Sequence, residues 1–171
     1  MIIAEAISRT QLRELTKVLR KYSGYKDELH FPIVKFVEHK MPKLFSGFSF
    51  EVKPKNYFPA NIHAETDIKK RVIRVREDIY LGAINGIGRD RMTIAHEIGH
   101  YILLVVKGQK FYRSFKITEI EAYRDPEWQA KAFAAELLCP YHLIKGMAAY
   151  QIALACGVSE QAASYQYKII N

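Results

Sequence analysis

At 171 residues, 49% hydrophobic and 26% charged, the chain has the composition of a soluble globular protein with one sizeable core. Its longest clear apolar run, "YILLVV" at 101–106, is far short of the ~20 residues of a membrane helix, and two cysteines make no disulfide framework. The net charge of +8 suits an acidic partner, nucleic acid or a membrane surface without choosing among them.

The first residues, "MIIAEAISRT", carry Glu5 and Arg9 too early for a secretory leader, so the expected start is near Met1 and the expected location cytoplasmic. "SRTQLRELTKVLRKYSG" predicts a helix with Leu12, Leu15, Val18 and Leu19 on one stripe and Gly24 as its stop. "FPIVKFVEHKMPKLF" predicts a second, opened by Pro32 and kinked or ended by Pro42. From Phe48 to about Tyr80 the period falls to two, and "FSFEV", "NIHAET" and "RVIRVRED" predict three strands of an antiparallel sheet. "GAINGIG" at 82–88 reads as loop. Helices are expected over about 90–107, 125–138 and 141–155, with a last short one in "VSEQAASYQYKII". Cys139 and Cys156 are expected to be reduced, packed thiols.

Inside the apolar stretch "RMTIAHEIGHYILLV", His96 and His100 stand four apart. On a helix both imidazoles leave one face about a turn apart, and their ring nitrogens can reach one coordination sphere of ~2.0–2.1 Å radius. Glu97 projects beside that sphere, where a carboxylate can take a proton from an activated water and pass it to a leaving amine. This is the H-E-x-x-H arrangement of zinc peptidases. Gly99 removes a side chain where substrate or another backbone could approach.

A catalytic zinc ordinarily has three protein ligands and an open position. Val106 and Leu103 exclude a third histidine and the glycine of the longer H-E-x-x-H-x-x-G-x-x-H pattern. The downstream candidates are Glu119, Glu121, Asp125, Glu127, Glu136 and His142. Projected as a helix, 125–138 has its apolar side at Ala130, Phe133, Ala134, Leu137 and Leu138. Glu127 falls on that side and Glu136 almost opposite, so Glu127 is the first choice and Glu136 the fallback. Asp125 is the expected cap, with Pro126 at the first helical position.

"GRDRMTIAHEIGHYIL" followed by "EWQAKAFAAELLCP" resembles the ImmA/IrrE family of zinc metallopeptidases, over roughly 73–140. The resemblance implies one Zn2+ held by His96, His100 and Glu127, with Glu97 as general base. It also implies a protein substrate, a helix-turn-helix repressor of the phage type, whose cleavage or inactivation switches on genes. Lys131 departs from the Asn or Asp that the family often has there, a change that bears on how the site is tuned. The competing expectation is a regulator that binds DNA or a repressor without cutting, its zinc site structural or vestigial.

The expected fold is α+β and zincin-like, a small antiparallel sheet of about three strands packed with a helical bundle that carries the H-E-x-x-H helix. A single domain is expected over 1–171, with helices over 1–47, the sheet and zinc-site helices over 48–140, and a helical tail over 141–171. "IALACGVSEQAASYQY" in that tail resembles a helix-turn-helix core, with Gln161, Ser164, Tyr165 and Lys168 facing outward. With only Lys145 and Lys168 as basic residues, the tail favours packing or protein docking over nucleic-acid binding, and no membrane partner is expected. The basic strand at 71–76 is expected as an exposed edge beside the substrate groove, with Arg74 and Arg76 holding substrate. Tyr112, Tyr141 and His142 are candidates to hold the oxyanion, while His30, His39 and His63 are left as structural.

Overall fold

The computed structural model describes residues 1–116 and 118–171. In chain order, β1 (Ile2–Ala4) leads to α1 (Arg9–Ser23), then α2 (Ile33–Lys35) and α3 (Met41–Leu44). Ser8 caps α1 through a reciprocal box with Gln11, and Gly24 ends it in the left-handed region at φ 84°. Leu12 and Leu19 are buried as expected, but Val18 is exposed; Thr16 and Arg20 complete the inner face. Between α2 and α3 the chain widens into a π turn over Phe36–Lys40, next to Pro42, which has no N–H to offer the carbonyl four residues back.

Next come β2 (Ser49–Lys53), β3 (Ala64–Asp67) and β4 (Val72–Arg76). Their order is β2-β4-β3, with β3 antiparallel and β2 parallel to the central β4. The expected antiparallel sheet is thus corrected to a mixed one. A short turn through Arg71, at φ 55°, folds β4 back on β3; the longer connection 54–63 carries the chain from β2, parallel along one edge of β4, across to β3 on the other. A second, two-stranded sheet pairs β1 with β5 (Phe111–Arg113). It escapes sequence reading because three residues are too few to display a period of two.

α4 (Glu77–Ile84) starts directly after β4, so the strand stops at Arg76 and Gly82 is helical rather than in a loop. A Cβ on Gly82 would lie 1.8 Å from the Asp90 carboxylate, which explains the glycine without a turn. α5 (Gly88–Tyr101) continues into a π turn over Ile102–Val106 and packs against α6 (Pro126–Leu138). Ile94, Ala95, Ile98 and Tyr101 from α5 meet Phe133, Leu137 and Leu138 from α6 in one contiguous core. Asp125 caps α6 by accepting from the Glu127 amide at 2.9 Å, with Pro126 following it.

The C-terminal residues form α7 (Tyr141–Ile144), α8 (Ala149–Cys156) and α9 (Glu160–Ile170). The continuous helix expected over 141–155 is broken at Gly146, which turns at φ 83°. α8 and α9 meet at the left-handed Gly157, with Val158 turned inward and Ser159 capping α9. Arg91 of α5 ties this tail to the helix that carries His96 and His100, donating to the carbonyls of Gly157 at 2.9 Å, Cys156 at 3.2 Å and Phe31 at 2.9 Å. Cys139 and Cys156 are free and buried. The architecture is α+β, and among the described residues no helix is long and apolar enough to cross a membrane.

Candidate metal centre

Because Ile94, Ala95 and Ile98 hold one side of α5 to the core, His96 and His100 are turned toward the start of α6. There the His96 Nε2 lies 3.0 Å from His100 Nε2 and 3.1 Å from Glu127 Oε2, and His100 Nε2 lies 3.2 Å from Glu127 Oε1. Ligands about 2.0–2.1 Å from a tetrahedral zinc are about 3.3 Å from one another, so the three donors stand close to the edges of such a polyhedron. Gly99 makes this approach possible: a Cβ there would meet the Ala130 carbonyl oxygen at 3.0 Å and its Cα at 3.2 Å. The backbone approaching Gly99 is therefore that of α6.

Burial lowers the His96 pKa to about 4, with the neighbouring His100 acting the same way and the Glu127 carboxylate opposing both. His100 is lowered too, again first by burial. Both imidazoles are consequently neutral near pH 7, the form that offers a lone pair to a metal. The Glu127 side chain is 60% exposed against 19% and 16% for the histidines, so the cluster is closed by protein on one side and open on the other. Among the described residues, this is the group of histidine, cysteine and carboxylate side chains arranged to hold a metal ion. Two neutral imidazoles, one carboxylate and an open side match the donor set of a catalytic zinc site.

Glu97 is buried beside the histidines. Loss of solvent raises its pKa to about 7 in the metal-free protein; a hydrogen bond from Thr66 opposes the shift, and the charges of Glu127 and Glu65 add to it. The Thr66 hydroxyl, on β3, is 2.7 Å from Glu97 Oε2 and 3.1 Å from the Glu97 carbonyl oxygen. Sequence reading missed Thr66, and nothing local in "NIHAET" distinguishes it from any other strand threonine. β3 pairs with β4 on one side and is an edge of its sheet.

Other candidates lie elsewhere. β4 is the central strand, so the expected exposed edge at 71–76 is corrected: its ladder positions are taken on both sides. Arg74 is buried and bonds Glu51 at 3.1 Å and Glu65 at 2.9 Å, while Arg76 bonds Asp78 at 2.7 Å. Both arginines are thus occupied within the fold rather than presented to a substrate. Tyr141 carries the Arg13 guanidinium over its ring at 4.6 Å, and His142 Nε2 lies 3.2 Å from the Lys26 carbonyl oxygen. Both follow the far end of α6, about 16 Å of helix from Glu127. Tyr112 is exposed on β5. No hydrogen bond or ion pair joins any of these three to the donor cluster among the described residues.

Glu136, the fallback ligand, is wholly buried and bonded by Arg9 at 2.9 Å and Arg13 at 3.1 Å. The projection set it opposite the apolar side of α6, but α1 covers that side as well, so it is no metal ligand. Next to His96 and Glu127 a groove of about 830 Å³ opens between α5, α6 and α9.

The sequence profile of the IrrE N-terminal-like domain, a peptidase family, matches residues 49–167. No curated protein sequence matches the chain significantly. Among solved structures, a Mycobacterium tuberculosis transcriptional regulator is similar in fold, with a TM-score of 0.59 and 17% identity. The alignment covers 92% of this chain and 46% of that one, so the chain spans just under half the length of that regulator.

Proposed function

The chain belongs to the IrrE N-terminal-like domain family, and from that membership we propose that it is a zinc-dependent endopeptidase acting on a regulatory protein, such as a helix-turn-helix repressor of the phage type. The observation that carries this reading is the meeting of His96, His100 and Glu127 on one open-sided position with Glu97 buried beside it. Those three side chains would hold the ion. When bound, zinc supplies Lewis acidity, polarising a carbonyl and lowering the pKa of a water.

The chain's own groups do the rest. Thr66 occupies Glu97 Oε2, which leaves Oε1 to receive a proton and return it to the departing amine. The free edge of β3 offers main-chain donors and acceptors to an extended peptide brought past Glu97. Burial on the β3 side keeps Glu97 from bulk water, while the exposed Glu127 side admits substrate.

The test is co-expression with the product of a neighbouring repressor gene. A truncated repressor with the wild type and an intact one with Glu97→Gln support the peptidase. Equal relief of repression by both, with no fragment, favours a regulator that acts by binding alone.

A further inference from the structure

The groove leading from the metal position has apolar walls: Met92 on α5, Trp128, Ala132 and Ala135 on α6, and Ala162 and Tyr165 on α9. The charges around it are nearly all of one sign. Arg9, Arg89 and Lys131 line it, and the carboxylate among its lining residues is Glu127, whose two oxygens face the imidazoles. Arg9 is engaged with Glu136 at 2.9 Å and Arg89 with Asp90 at 2.9 Å. Lys131 forms no ion pair among the described residues, although it is exposed and one helical turn from Glu127. Its ammonium also acts on His96, opposing protonation there. An ion held by the three donors would make this end of the groove more positive still.

Glu127 and Lys131 are four residues apart, about 6 Å along the axis of α6. An extended peptide covers that distance in about two residues. We infer that the groove is a specificity subsite for an acidic side chain about two residues from the bond to be cut, selected by Lys131, with the apolar walls taking a neighbouring aliphatic or aromatic side chain. Calling the occupant a substrate rests on the peptidase reading; the preference for an acid rests on the groove itself. An apolar floor suits such a pair, since it seats the greasy side chain and leaves the ammonium less screened than one in open water.

Trp128 is the single tryptophan of the chain and stands in the groove wall, so its fluorescence reports occupancy directly. The probes are capped hexapeptides of alanine and leucine carrying one glutamate, one glutamine or one lysine. They are titrated into the zinc-loaded Glu97→Gln variant and into the metal-free protein. The glutamate peptide is expected to bind roughly two- to fivefold more tightly than the glutamine peptide, and the lysine peptide most weakly. Lys131→Gln should bring the glutamate and glutamine peptides together, Lys131→Arg should keep them apart, and added salt should narrow the gap. No saturable change with the glutamate peptide, equal affinities in the parent, or a preference that survives Lys131→Gln overturns the inference. An acid preference in a protein that takes up no zinc would leave the subsite standing and remove the peptidase; zinc uptake with no preference would do the reverse.

Discussion

Thr66 on the edge strand and Glu97 on α5 share one hydroxyl proton between two acceptors, the threonine oxygen lying 2.7 Å from the carboxylate and 3.1 Å from the carbonyl of the same residue. The contact fixes which carboxylate oxygen faces the strand and which is left for chemistry. Thr66→Val keeps the shape and removes the hydroxyl. It should lower cleavage by about ten- to a hundredfold with little change in zinc content, and Thr66→Ser should restore most of the loss. The check is turnover and bound metal measured on the same preparations.

Glu127 and Glu136 share one helix and should respond oppositely to removal. Glu136 is buried between the part-buried Arg9 and Arg13, so Glu136→Ala leaves two partly desolvated guanidinium groups without their carboxylate and should cost about 2–3 kcal/mol of stability, less than for a fully buried pair. Glu127→Ala removes an exposed side chain and should leave the melting temperature of the metal-free protein nearly unchanged while greatly weakening zinc binding. Thermal melts of both variants with and without zinc distinguish the two roles.

Gly99 should matter through the spacing of α5 and α6. A methyl group there meets the Ala130 carbonyl oxygen at 3.0 Å and Phe133 Cδ1 at 3.2 Å, so Gly99→Ala must push the helices apart by a few tenths of an ångström. Overpacking of this kind costs about 1–3 kcal/mol. The same displacement separates the histidines from Glu127, and competition with a chromogenic chelator should report weaker zinc binding.

Arg76 holds the Asp78 carboxyl at about 2, chiefly through its hydrogen bonds, against 3.8 for the free group. A carboxyl whose pKa is lower folded than unfolded stabilises the fold above the unfolded value, and that stabilisation drains away as pH falls toward the folded one. Asp78→Asn should therefore be less stable than wild type at neutral pH, by up to about 1 kcal/mol for this partly exposed pair. The difference should shrink as pH drops below about 4, and urea midpoints compared at pH 7 and pH 3 give the measurement.

The spacing of His96 and His100 carries the local geometry of the site in the sequence, because a helix turns four residues into one face. The cap at Asp125 is legible for the same local reason. The helical projection did place Glu127 and Glu136 on different sides of α6, yet α1 covers the side that projection assigned to solvent. A single helix does not reveal how many neighbours it will have. Thr66, the parallel pairing of β2 with β4 and the pairing of β1 with β5 depend on contacts distant in the chain, and no short-range pattern encodes them. Arg74 and Arg76 look like a solvated basic strand only until Glu51, Glu65 and Asp78 fold beside them.

The most direct test is the metal content of purified protein after exposure to zinc and removal of excess, for wild type, His96→Ala, His100→Ala and Glu127→Ala. The geometry predicts about one tightly held ion per wild-type chain and strong depletion in all three variants. Wild type that retains no divalent metal, or retention undiminished in the variants, would contradict it.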